Sequence, residues 1–309
     1  MYHAHYGLLR PPFEMTPDPA FLYMGEAHRE GLATLVYGVR ARKGFVLLTG
    51  EVGTGKTTLL HALLAQLDRN TLAAFLFNPR LEPLDFFRVL FDELGIEKPC
   101  ATKAEFLIAL NRFLIERLEQ DLPTLLIIDE AQNLSAEMLE EVRLLSNLET
   151  PSSKLLQIML VGQPELAEML ARPELRQLRQ RIVLRHQLRP FVADETTAYV
   201  QERLRLAGHT GKELFKKRAL AEVHAVTGGV PRLVNIVCDS ALLLGFGRGL
   251  QTIDADAIRE VARDLDLVPA HPAGAPPTNV RETSAAARGV PRRGFEWFGW
   301  LRRRQTGGV

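Results

Sequence analysis

Gly50-Glu51-Val52-Gly53-Thr54-Gly55-Lys56-Thr57 fits the pattern G-x-x-x-x-G-K-[ST] at every fixed position. Residues of these types at this spacing suit one kind of chemistry. The glycines let successive backbone N–H groups converge on phosphate oxygens, and a helix opening at Lys56 adds the positive end of its dipole. Lys56 would then reach the β- and γ-phosphates of a nucleoside triphosphate, and the Thr57 hydroxyl would ligate Mg²⁺. A glycine-rich turn matching by chance would lack the flanks seen here. The apolar run 45–48 precedes the loop and a helical pattern over 56–67 follows it.

About seventy residues further on, Leu125-Leu126-Ile127-Ile128 ends in Asp129-Glu130. Alone, such a run could be a strand entering a capped turn. Beside a P-loop, an apolar strand that delivers two carboxylates has a chemical reading. Asp129 can hold Mg²⁺ through water, and Glu130 can polarise an attacking water. A glutamate next to the aspartate favours hydrolysis over binding alone.

Positioning these groups calls for strands that alternate with helices. Short apolar runs at 45–48, 73–77, 124–128 and 158–161, with a more polar one at 182–188, read as strands separated by helical patterns. The expected fold class is α/β: a P-loop three-layer sandwich with a parallel sheet covered on both faces. After Pro190 the strand signals stop. Helical segments at 194–207, 217–226, 231–244 and 254–265 predict a small all-α lid domain, with Asp194 and Asp254 as N-caps and Gly228-Gly229 or Gly245 as stops. The expected boundaries are 1–25, an aromatic and proline-rich packed segment; 26–190, the nucleotide-binding domain; 191–266, the lid; and 267–309, a disordered linker and tail.

GEVGTGKTT, LLIIDEAQNLS, VGQPEL, LRQRI and GGVPR together resemble an AAA+ ATPase. More narrowly, with the opening MYHAHYGLLRPPFEMTPDPAFLYMGEAHREGLATLVYGV, the chain is similar to the bacterial general secretion pathway protein A group. Close relatives of that group accompany exopolysaccharide and exosortase gene clusters. The resemblance covers about residues 1–266 and implies ATP with Mg²⁺ as cofactors. Through it Gly50 to Thr57 and Thr58 become the phosphate-binding set, with Thr57 and Asp129 at the metal.

Three further roles follow from the resemblance. Gln163, just past the strand at 158–161, would be the sensor that orients water near the γ-phosphate; a turn residue before Pro164 is the plainer reading. Among Arg176, Arg179 and Arg181, one arginine would enter a neighbouring subunit's site in a homo-oligomer. Arg181 fits that finger role best and Arg179 second, against a solvated basic helix face. Arg232, in Gly228-Gly229-Val230-Pro231-Arg232, would reach from the lid to the γ-phosphate, where a plain helix-start arginine is disfavoured by the dipole. His28, Arg29 and the Tyr23 region either line an adenine pocket or pack in the core.

Composition narrows the function class. The chain has 309 residues, 46% hydrophobic and 24% charged, as in a globular protein with a substantial core. Cys100 and Cys238 carry no CxxC or Cys/His cluster, which argues against zinc or a disulfide framework. The N-terminus has no apolar signal run and no window approaches the roughly 20 apolar residues of a membrane span. The expected location is cytoplasmic, peripheral at the inner membrane if the tail binds there. Residues 269–309 hold seven arginines against two glutamates, so the tail carries +5 and the body −4. An acidic body argues against a general nucleic-acid footprint. Both tryptophans, Trp297 and Trp300, lie between arginine clusters in that tail. They suit an interfacial membrane contact, a protein partner, stacking with single-stranded nucleic acid or folding back onto the body. The leading expectation is an ATP-hydrolysing switch or motor serving secretion, envelope or polysaccharide assembly. The alternatives are a DNA-associated ATPase of the transposition-helper or origin-recognition kind, and a nucleotide-gated scaffold.

Overall fold

The sheet follows from which strands are buried on both faces. In the computed structural model, which describes residues 2–14, 23–68, 70–77, 81–151 and 153–267, every residue of β1 (Phe45–Gly50), β3 (Thr124–Ile128) and β4 (Gln157–Gly162) is buried. Runs of Leu, Ile and Val with no polar alternation belong at the centre of a parallel sheet. β2 (Leu72–Leu76) and β5 (Ile182–Leu188), with partly exposed residues, form its edges. The order is β2-β3-β4-β1-β5, all parallel.

Side chains then alternate between two cores. Val46 and Leu48 of β1 meet Leu35 of α2 (Glu26–Arg40) and Leu59 and Leu63 of α3 (Lys56–Gln66). Phe45 and Leu47 face the opposite layer. That layer holds α4 (Pro83–Leu94), α5 (Lys103–Glu119), α6 (Ala136–Leu145), α7 (Pro164–Leu170) and α8 (Arg176–Arg181). The three-layer sandwich expected from the sequence is therefore present. Its register aligns Thr49 with Gly162 and Leu76 with Ile128. The residues that follow β1, β3 and β4 consequently share one edge of the sheet, where parallel α/β folds carry their ligands.

The helical region comprises α9 (Ala193–Leu206), α10 (Lys217–Thr227), α11 (Pro231–Gly247) and α12 (Ala255–Asp264) around its own apolar core. Residues 2–14 pack there and not on the sheet. Tyr2 of the short α1 (Tyr2–His5), Tyr6, Leu8 and Phe13 join that core, and Arg203 donates from Nε to Pro12 O. The lid and the sheet domain nevertheless fall within one compact unit. Asp254 caps α12 through Ala257 N, and Gly228 ends α10 in a left-handed conformation, both as expected.

Two cap assignments need correcting. α9 begins at Ala193, so Asp194 lies in the first turn, where its charge complements the dipole without capping. Gly245 does not stop α11, which continues to Gly247. It is small because a Cβ there would lie 2.5 Å from Tyr6 Oη, part of the strap that no local rule places on this helix. The expected tail at 267–309 lies outside the described residues beyond Leu267.

At the junction of lid and sheet, one carboxylate serves two helices. Glu195 Oε1 accepts from Glu26 N (2.6 Å) and its Oε2 from Val192 N (3.1 Å). Phe191 N donates to Gly229 O at 2.9 Å, and Gly229 has φ +74°. A Cβ on Gly229 would stand 1.9 Å from Phe191 O, which is backbone and cannot rotate aside. Gly229→Ala should therefore cost about 2–4 kcal/mol from overpacking and left-handed strain. An unchanged midpoint in urea unfolding would show that the junction tolerates a side chain.

Candidate functional site

The loop between β1 and α3 turns on two glycines with positive φ, Gly53 (+80°) and Gly55 (+98°). Among the described residues no side chain caps the first turn of α3 and no acid lies in it. Its N–H groups therefore keep their capacity for an anion. Thr57 is exposed and Thr58 half-buried in that turn, while Glu51 and Val52 are exposed on the loop. Thr54 is fully buried, its hydroxyl donating to Glu51 O at 2.8 Å to hold the loop in shape.

Lys56 folds back under this loop. Its Nζ donates to Gly50 O (2.8 Å) and Glu51 O (3.1 Å), and the residue is only 7% exposed. Burial pulls the ammonium below the usual lysine range, while the charges of Glu130, Asp129, Glu51 and Glu165 oppose that fall. The two carboxylates that the sequence paired with Lys56 are thus within its electrostatic reach.

Asp129 leaves β3 buried, with its N–H on Leu76 O (3.0 Å) and its Oδ1 accepting from Glu130 N (2.8 Å). Burial pushes its carboxyl above the ordinary aspartate value, which Lys56 and the backbone bond partly offset. Thr57 and Asp129 supply hydroxyl and carboxylate oxygens, the hard donors that Mg²⁺ takes.

Glu130 adopts φ +52°, left-handed for a residue with a side chain, at a cost of roughly 1–2 kcal/mol. The turn lets the chain enter a single 3-10 turn, Ala131–Asn133, which swings Gln132 back over the strand ends. Gln132 Nε2 donates to Glu130 Oε2 at 2.5 Å, and Gln163 Nε2 donates to the same oxygen at 3.2 Å. Gln163 N in turn donates to Gln132 Oε1 at 3.1 Å. The structure therefore brings Gln163 to Glu130. Gln132 is a residue that sequence reasoning missed. Its signal was its place three residues after Asp129, but no side-chain period marks a lone 3-10 turn.

The arginines divide. Arg232 N donates to Gly53 O (3.2 Å), and a Cβ on Gly53 would stand 2.6 Å from Arg232 Cβ. The start of α11 is thus seated on the phosphate loop. Arg181 ends α8 half-buried, one guanidinium nitrogen bonded to Ser146 Oγ (2.5 Å) of its own chain. Arg176 and Arg179 are exposed.

His28 is 3% exposed, with Nε2 at 3.0 Å from Thr54 O and its ring 5.2 Å from that of Phe191. Facing a carbonyl, Nε2 carries the proton, and burial holds the ring's pKa down. It wedges phosphate loop against junction as a packed ring. Tyr23 packs edge-on against Phe191 and Tyr199, and Arg29 donates to Met24 O.

Residues 39–170 match the family model described as "AAA domain". The chain is 45% identical over 255 residues to general secretion pathway protein A of Aeromonas hydrophila, an alignment covering 82% of this chain. It spans 46% of that relative's length. Among solved structures it is similar to the Aeropyrum pernix ORC2 protein in ADPNP–ADP complexes. That match has a TM-score of 0.61 and 16% identity, covering 82% of this chain and 71% of that one. It is also similar to Cdc6p from Pyrobaculum aerophilum (TM-score 0.58, 20% identity, 81% and 71% covered). At such identities these structures share the fold. Among the described residues no helix is long and apolar enough to cross a membrane.

Lys56→Ala removes the buried ammonium that would meet a bound phosphate. It should weaken nucleotide affinity about 100-fold or more; unchanged affinity for a fluorescent ATP analogue would sink the assignment. The protonated lysine would be the binding form, so on the alkaline side affinity should fall as pH rises through the lowered Lys56 value. That fall should come below 10.5, the ordinary lysine value. A titration in which affinity fell only above it would contradict the burial.

Proposed function

We propose that this chain, a member of the AAA+ group that includes general secretion pathway protein A, binds ATP with Mg²⁺ and hydrolyses it as a nucleotide-driven switch. One observation carries the reading. Glu130, beside Asp129 and within the field of Lys56, is held by amide donors at the edge of the sheet where the phosphate loop opens.

Gly50, Glu51, Val52, Gly53, Thr54, Gly55, Thr57 and Thr58 surround the phosphates through backbone N–H groups and the α3 terminus. Lys56 exchanges its two loop carbonyls for phosphate oxygens, a better match for a buried cation. Thr57 and Asp129 hold Mg²⁺, which when bound neutralises phosphate charge. Glu130 takes the proton of the attacking water, and Gln163 orients that water. Arg232, seated on Gly53, couples the lid to the γ-phosphate.

The subunits assemble so that an arginine of one completes the site of the next. Arg181 uses one of its five donors on Ser146, which orients the guanidinium and leaves the others for a phosphate. Arg179, exposed, is the second choice. The name of the Aeromonas hydrophila relative supports a role in secretion; cell-envelope or exopolysaccharide assembly and a cytoplasmic location, where ATP is available, belong to the same proposal. The basic, tryptophan-bearing tail provides peripheral contact with the inner membrane or a protein partner. The likeness to origin-recognition structures is one of fold at low identity and adds no nucleic-acid contact.

Glu130→Gln should bind ATP normally and lose turnover about 100-fold or more; retained hydrolysis in a phosphate-release assay would remove Glu130 from the reaction. Chelation of Mg²⁺ with EDTA should stop turnover. Mixing Arg181→Ala with Lys56→Ala subunits should restore part of the activity, because a mixed interface pairs an intact loop with an intact finger. Rescue by Arg179→Ala and not Arg181→Ala would transfer the finger to Arg179.

A further inference from the structure

We infer that Gln132 is the positioning residue for the hydrolytic glutamate: its side-chain amide locks Glu130 to the sensor residue Gln163 and so decides which carboxylate oxygen meets the water. This inference rests on the ATPase reading of the site.

A glutamate side chain has three rotatable bonds, and a half-buried one at a sheet edge samples several orientations unless it is held. Both donors found on Glu130 fall on one oxygen, Oε2, from Gln132 at 2.5 Å and Gln163 at 3.2 Å. With Oε2 held twice, Oε1 is the oxygen that takes a proton. Gln132 could not choose an orientation if its own amide were free to turn over. Its Oε1 accepts from Gln163 N at 3.1 Å, which forces Nε2, the donor end, toward Glu130. Backbone N–H groups cannot reverse roles, so the polarity of the triangle is fixed from Gln163 N through Gln132 to Glu130.

Two backbone features make room for this amide. Left-handed Glu130 starts the 3-10 turn that returns Gln132 to the strand ends. At the end of β4, a Cβ on Gly162 would lie 2.6 Å from Gln132 Oε1 and 2.9 Å from Leu166 Cδ2. Gly162 has an ordinary φ, so what requires glycine here is this space. Leu166, fully buried at the start of α7, closes the far side. The Gln132 amide therefore lies in a slot bounded by β4 and α7, the elements on either side of Gln163.

The test compares Gln132→Met, which keeps the volume and removes the amide, with Gly162→Ala, which crowds the same amide from the other side. Each is assayed by single-turnover ATP hydrolysis and by equilibrium binding of a fluorescent ATP analogue. Both should lower the hydrolytic rate about 10- to 100-fold, the scale of a misplaced reacting group, with binding unchanged within about twofold. Gln132→Met added to Glu130→Gln should produce no further loss, since it acts only through Glu130. An unaltered rate in Gln132→Met, or a faster one, overturns the inference; a faster rate would mean that the amide restrains Glu130. Full additivity with Glu130→Gln would reduce Gln132 to a structural part. If Glu130→Gln itself keeps wild-type turnover, the assignment of Glu130 as the hydrolytic group fails, and this inference fails with it. If Glu130→Gln is inactive and Gln132→Met is not impaired, this inference fails alone.

Discussion

A cation buried where its own loop must satisfy it is the constraint on which the site depends. Lys56 cannot be left unpaired at 7% exposure, and its partners are the carbonyls of Gly50 and Glu51. Accepting that ammonium requires the loop to curl, which the positive φ values of Gly53 and Gly55 permit. It also requires anions nearby, and the sheet order supplies them. β3 and β1 flank β4, so Asp129, Glu130 and Gln163 arrive at the edge where the loop begins. Removing any of these conditions leaves either an orphan charge or an open loop, both costlier than the modest strain at Glu130.

Seating the lid on this loop gives the lid a share in the same electrostatics. Gly53 has no Cβ where Arg232 has one, and the two backbones bond directly. His28 also packs on the loop, between Thr54 and Phe191. Phe191 is itself bonded to Gly229 at the foot of α11. The loop, the junction and α11 are therefore neighbours through backbone hydrogen bonds and the packed rings of His28 and Phe191. Displacing one element by an ångström must displace the others or break a hydrogen bond worth about 1 kcal/mol.

Much of this was legible in the sequence, for physical reasons. Strands buried on both faces leave unbroken apolar runs, so β1, β3 and β4 stood out, and a phosphate loop needs glycines at set offsets. Gly228 and Asp254 could be read as stop and cap because those tasks are local. Gly245 was misread because its constraint comes from Tyr6, 239 positions earlier in the numbering. The N-terminal segment was expected to be packed, and residues 2–14 are, but nothing in its proline and aromatic content says that it joins the helical core and not the sheet. Gln132 escaped because a 3-10 turn of three residues carries no period. Glu195, an unremarked helix residue in the sequence, bridges two helix starts through contacts 169 positions apart.

The misreadings share a cause that bears on how the site works. Apart from Asp194, each concerns a residue whose partner lies on another element. Local sequence rules describe how an element begins and ends; they are silent on which element it meets. Lys56, Asp129 and Glu130, to which the proposed chemistry is assigned, sit within or at the ends of sheet-domain elements and obey local rules. The groups that contact them or their loop from elsewhere, Gln132 on Glu130 and Arg232 on Gly53, and Glu195 across the junction, obey none. A chain under selection for hydrolysis alone would need only the first set. The second set adds hydrogen bonds and close backbone approaches that tie the strand ends and the lid to the loop. Such ties give the position of the lid an energetic consequence at the phosphate loop, which is what the proposed switch requires.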